Sequence, residues 1–198
     1  MRTAIRRNVL VEAAKSLFLI LSALFPIVDP LGGSPIFLAM TREYSPSTRR
    51  ALSLRIAINS FLLLVGSYFI GTHILSFFGI SLPVVQVGGG LIVISTGWAL
   101  LKQSYDEDPK SVKKNIQPVD PFHNAFYPLT LPLTVGPGSI SVAITLGANA
   151  PYHQGFNLLG ILTAIVGSAL LAASIFLCYG FADRLGENAG GKIDRVTP

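Results

Sequence analysis

A stretch that should not cross a membrane sits in the middle of one built to do so. Phe25-Pro-Ile-Val-Asp-Pro-Leu-Gly-Gly-Ser-Pro35 holds three prolines, two adjacent glycines and a carboxylate, between the apolar runs Leu17–Phe25 and Ile36–Met40. The flanking charges are Lys15 and Arg42, so about 25 residues run between charged ends, enough to span a bilayer. Pro30 and Pro35 each remove an amide donor and clash with the preceding turn, and Gly32-Gly33 does little to hold a helix together. The segment is therefore expected to be two half-helices joined by an unwound turn. Ser34-Pro35 is the expected restart, with a hydroxyl at the N-cap and proline at the first helical position.

The same device occurs a second time. Pro26, Pro30 and Pro35 are matched by Pro128, Pro132 and Pro137 at a constant offset of 102 residues, in Tyr127-Pro-Leu-Thr-Leu-Pro-Leu-Thr-Val-Gly-Pro-Gly-Ser139. An aromatic precedes each first proline, glycines lie close to each third proline, and an apolar run follows. The chain reads as a tandem of two related halves.

Long uncharged runs decide the solvent. Only 13% of residues are charged against 51% hydrophobic, which is too little charge to cover a soluble globule. Phe61–Phe78, Val84–Leu101, Asn124–Ala150 and Phe156–Ala182 carry no formal charge apart from histidine, and with the opening segment they make five spans. Ser45-Pro46 is expected to start the second span, and Gly79–Pro83 and Pro151–Gln154 to be tight turns. Arg2, Arg6 and Arg7 before an apolar run resemble a signal peptide, but that run contains prolines, lacks a small-residue cleavage site and has its counterpart in mid-chain. It is kept in the mature protein. Residues 102–121, with Asp106-Glu-Asp108, Lys110, Lys113 and Lys114, read as a solvated linker. Three consecutive acids point in different directions, so no metal site is assigned to them. Cys178 is alone and forms no disulfide within one chain.

Orientation follows from the 15 lysines and arginines. Arg2, Arg6, Arg7 and Lys15 share one side with the two uncharged turns, while the other eleven fall with the first loop, the linker and the C-terminus. The positive-inside rule places those eleven in the cytoplasm and the N-terminus outside. The same rule leaves no need for a nucleic-acid partner behind the net charge of +5. Three spans precede the second half, so it enters from the opposite side. The expected fold is all-α: a polytopic membrane bundle of two inverted repeats, the first over 16–101 and the second over 122–182, each opening on a broken helix, followed by a polar tail at 183–198. Broken helices in matching positions of inverted halves mark the midplane site of a secondary transporter.

The residues at the two breaks are the candidate site. Asp29 is the carboxylate well inside a span, and it reads either as a proton or cation site or as a cap on broken backbone. Half-helix starts at Ser34-Pro35 and Gly136-Pro137 offer free amides to an anion, and the preceding half-helices offer carbonyls to a cation. Such ends hold a zwitterion without charged side chains. Thr130, Thr134 and Ser139 read as hydroxyl contacts to the solute, or as partners of backbone groups the prolines set free. Asn59 and His73 are expected to bond between helices. Gly88-Gly89-Gly90 would let a helix or ligand approach closely, and Gly160, Ala164, Ser168 and Ala172 form a packing stripe. No Gly-x-Ser-x-Gly, metal-ligand histidine pair or paired acid supports an enzyme, no cofactor is expected, and the spans lack the charge rings of a channel.

Pro26–Phe37, Gly88-Gly-Gly-Leu-Ile-Val93 and Thr134-Val-Gly-Pro-Gly-Ser-Ile140 resemble the signature stretches of the MarC family of bacterial inner-membrane proteins. The resemblance covers nearly the whole chain. It implies an inner-membrane location, transport of a small neutral amino acid, and a substrate region at Asp29, Pro30, Gly32 and Pro35 with Thr134, Gly136, Pro137 and Gly138. Gly33, Ser34, Thr130 and Ser139 complete the candidate set. The family pattern is six spans, three plus three, whereas only 16 residues follow Ala182 here. The counterpart of Val84–Leu101 is therefore expected to be missing, with the stripe at Gly160, Ala164, Ser168 and Ala172 left open to lipid or to a second copy. The competing expectation is a membrane scaffold that transports nothing.

Overall fold

The computed structural model describes residues 2–103, 122–150 and 158–182. The expected linker from residue 104 on, the turn at 151–154 and the tail at 183–198 lie outside them. Among the described residues every regular element is helical: α1 (Arg2–Val28), α2 (Pro30–Met40), α3 (Pro46–Phe77), α4 (Leu82–Gln103), a short 3-10 turn (His123–Ala125) leading into a widened coil (Phe126–Thr134), α5 (Pro137–Ala148) and α6 (Leu158–Gly180). Four stretches are long and apolar enough to cross a bilayer: Val11–Met40, Pro46–Phe77, Leu82–Ala99 and Leu158–Gly180. The widened coil and α5 are bent by 65° and make a fifth if they count as one span.

Local chemistry explains most boundaries. Ser45 caps α3 by accepting the Thr48 amide at 3.2 Å, with Pro46 at the first helical position. Gly79 takes φ +67° in the turn between α3 and α4, a conformation glycine adopts without steric cost.

The first break differs from expectation. Ser34-Pro35 does not restart a helix; both lie inside α2, and the restart is Asp29-Pro30. Asp29 alone leaves the helical region, at φ 39° and ψ 67°, and its carboxylate accepts the Gly32 amide at 3.0 Å. Aspartate tolerates the left-handed region, and proline suits the position that follows a cap. One residue thus absorbs the whole interruption, and Gly32-Gly33 stays helical. α1 also begins well before residue 16, at Arg2.

Packing contacts fix the directions of the elements. Leu17 and Ile20 of α1 lie on Gly167 of α6, and further along Gly33 and Phe37 of α2 lie on Tyr179, so α1–α2 and α6 run the same way. Ser53 near the start of α3 lies beside Gly180 at the end of α6, so those two are antiparallel. The coil and α5 climb α3: Phe122 sits under the Arg55 guanidinium at 4.3 Å, Thr130 meets Asn59 at 3.4 Å, and α5 reaches Tyr68 and Gly71 through Gly147 and Ile144. From Arg55 to Gly71 is roughly 24 Å of helix at 1.5 Å per residue. The bent pair therefore advances through the bundle beside α3. Each broken element packs on the long helix of the other half, and the two long helices pack on each other.

Two apolar clusters form the interior. One joins Val28 and Phe37 with Leu52, Ile56, Ile175 and Tyr179; the other joins Ile20, Leu24, Leu64 and Tyr68 with Val135, Ala143 and Leu171. The stripe expected to lie open is largely closed: Ala164 and Ser168 are buried, beside Gly167 against α1. The reason is steric, because the small face of α6 is where α1 can approach, while Leu162, Ile165, Val166 and Leu170 take the outward side. α4 is peripheral, packed on α5 with Val84, Val87, Leu91, Ile94 and Trp98 exposed.

Candidate functional site

Both breaks are built by replacing helix bonds with side-chain bonds, but in different ways. At the first, the Asp29 amide still donates to the Phe25 carbonyl at 2.9 Å, and the Asp29 carbonyl accepts from Gly33 at 3.0 Å. The carboxylate covers the Gly32 amide in between. Gly32 suits that cap, since a Cβ there would displace the Asp29 carboxylate from its place over the amide. Asp29 is exposed, and Pro30 beside it is buried.

At the second break no carboxylate is available, and threonines do the work. Pro128 and Pro132 cannot donate, Tyr127 and Leu131 are extended, and the coil opens to five-residue closures. The Thr130 hydroxyl donates to the Ala125 carbonyl at 2.6 Å, the Thr134 hydroxyl to the Leu129 carbonyl at 2.7 Å, and the Val135 amide to the Thr130 carbonyl at 2.8 Å. Ser139 closes on the Gly136 carbonyl at 2.9 Å. All three hydroxyls therefore satisfy backbone carbonyls. Here the restart falls where the sequence placed it: Gly136 is extended, Pro137 opens α5, and no side chain caps its first turn. One half-helix start is covered by a carboxylate and the other is bare.

The residue that brings the two breaks together is Tyr179. Its ring stacks on Phe37 with centroids 4.8 Å apart and planes 13° from parallel. Its hydroxyl lies 3.0 Å from the Thr134 hydroxyl and 2.5 Å from where a Cβ at Gly33 would stand. Thr134 already gives its proton to Leu129, so Tyr179 is the donor. A second meeting point lies at Gly138, where a Cβ would strike Val93 of α4 and stand 3.8 Å from Ile27 just before the first break. Ser141 donates to the Val85 carbonyl at 2.8 Å and packs on Gly89, which accounts for one of the three adjacent glycines.

Of the expected site residues, Gly33 and Thr134 converge through Tyr179, and Pro30, Ser34, Thr130, Gly138 and Ser139 are buried nearby in their own elements. Asp29, Gly32, Pro35 and Pro137 are exposed. Asn59 bonds between helices as expected, donating to Thr130 at 3.4 Å. His73 does not; it points outward from α3. Sequence reasoning passed over Tyr179, whose signal was a phenol near the end of an uncharged span, where its hydroxyl needs a partner.

Fold and junction together define a polytopic helical membrane protein with two interrupted elements that meet inside the bundle. Within that class, residues 14–196 match the model described as MarC family integral membrane protein, and the chain belongs to that family. It is 31% identical over 153 residues to the membrane protein YhcE of Escherichia coli (strain K12), covering 77% of this chain and 70% of that one. It is 33% identical over 159 residues to a membrane protein of Archaeoglobus fulgidus, covering 80% and 71%. The inner membrane protein MarC of Citrobacter koseri is 31% identical over 151 residues, covering 74% and 68%. No solved structure matches the chain.

Proposed function

We propose that the chain is a secondary carrier for a small neutral amino acid or a solute of similar size and charge, coupled to protons through Asp29. The observation that carries this reading is the junction itself: two interrupted elements, each packed on the other half's long helix, meet where α5 starts without a cap. An uncapped helix start attracts a carboxylate, and Val93 of α4, which packs against Gly138 beside that start, is the side chain that must give way for a solute to reach its amides. An ammonium group would turn toward the carbonyl end of α1 and the carboxylate of Asp29. The opposite running sense of the two broken elements supports inverted repeats, the architecture in which such sites alternate between sides. The inner-membrane name of the relative MarC supports an inner-membrane location for this carrier, and the basic loops support an N-terminus outside and a C-terminus in the cytoplasm.

A second reading has one observation in its favour. The hydroxyls of Thr130, Thr134 and Ser139 are already engaged with backbone, as expected of a scaffold whose broken helices are purely structural. Uptake of labelled glycine and alanine into vesicles holding the purified protein, with and without a pH gradient, separates the two. The carrier reading requires solute-dependent flux that the gradient enhances, and its absence from folded protein favours the scaffold.

A further inference from the structure

We propose that Tyr179 is the specificity residue of the junction, a phenol that closes the space between the two broken elements and sets the size of what enters; this rests on the carrier reading for its substrate but not for its gating. Tyr179 is 2% exposed and touches both broken elements, Gly33 and Phe37 on one side and Thr134 on the other. Gly33 has no side chain where the phenol oxygen lies, so ring and backbone fit as knob and socket. The link to Thr134 is a single hydrogen bond between neutral groups, worth little enough net to be opened thermally. A solute polar group that bonds Thr134 in place of the phenol would offset its loss.

A second observation points to the same level of the bundle. The Ser60 hydroxyl is fully buried and has no partner. Along α3, Ser60 lies one turn from Ile56, which shares a cluster with Tyr179 and Val28, and one turn from Leu64, which shares the other cluster with Val135. It stands between the two apolar clusters, at the height of both breaks. A buried polar group without a partner is costly, and a site that binds a polar solute is one place where that cost is recovered. Ser60 is the donor held ready once Tyr179 yields. The pairing favours a small zwitterion over a bulky one, because the space to be vacated is that of one phenol tip.

The test is alkylation by N-ethylmaleimide of a cysteine placed at Val135, in a Cys178→Ala background in proteoliposomes, with Ala143→Cys as companion. Both positions are fully buried, and only the first is at the break. Tyr179→Phe, which keeps the stacking and removes the hydrogen bond, is expected to speed labelling at position 135 by about tenfold, the scale of one net hydrogen bond, and to leave position 143 unchanged. Unchanged labelling at 135, or equal acceleration at both positions, overturns the proposal, the latter because it reports general loosening. The uptake arm compares glycine with leucine: Tyr179→Ala should admit leucine, and Ser60→Ala should lower glycine affinity at least fivefold. Tyrosine-dependent labelling with no uptake of any solute would remove the carrier reading alone and keep the gate. Uptake whose glycine-to-leucine ratio ignores Tyr179 would remove the specificity role.

Discussion

Asp29 holds a left-handed backbone and caps α2 with the same side chain, so its substitutions separate structure from chemistry. Asparagine keeps the left-handed tolerance and an oxygen for the Gly32 amide, but exchanges no proton. We predict that Asp29→Asn folds normally, judged by melting temperature in detergent, and that its uptake no longer responds to a pH gradient. Unchanged pH response would reject the proton role. Asp29→Ala should lose about 0.5–2 kcal/mol with the cap and about 1–2 kcal/mol more from the strained backbone. Gly147 offers a test of packing, since its position is set against the Tyr68 carbonyl, which a methyl group would strike. Gly147→Ala is expected to destabilise the protein by about 1–3 kcal/mol in a reversible denaturation assay.

For single elements, the second break shows why hydroxyls sit beside prolines. We predict that Thr134→Val costs about 1–3 kcal/mol by orphaning the Leu129 carbonyl and the Tyr179 hydroxyl together, and that Thr134→Ser restores most of it. Equal stability of the valine and serine variants would contradict a structural role for this hydroxyl. What could be read in advance follows the same division. Restarts written in local chemistry were legible: Ser45-Pro46 and Gly136-Pro137 both open helices where expected. The restart at the first break lies five residues before the expected Ser34-Pro35, because the Asp29 carboxylate caps the Gly32 amide with Pro30 at the first helical position and needs no hydroxyl. Residues whose meaning is tertiary were not legible. Tyr179 acquires a role only when α2 and the coil are both beside it, and nothing in its neighbours' identities states that. The stripe on α6 was legible as a packing face, but which helix would fill it depended on the path of α1.

At the scale of the whole molecule, the account requires that the turn after α2 and the turn after α3 lie on opposite sides of the membrane. Cysteines at the exposed positions Glu43 and Ser81, in a Cys178→Ala background, should label with a membrane-impermeant maleimide from opposite faces of sealed vesicles. Labelling of both from one face would contradict the span assignment. Four spans, a bent pair that makes a fifth if it crosses as one, and a meeting point between the two interruptions describe a carrier only if a solute crosses. Counterflow measures this most directly. Vesicles holding the purified protein and preloaded with unlabelled alanine, then diluted into a trace of labelled alanine, should accumulate label transiently above its equilibrium level. A folded protein whose vesicles never exceed those without protein, for alanine and for glycine, would contradict the claim that this junction carries a small neutral amino acid.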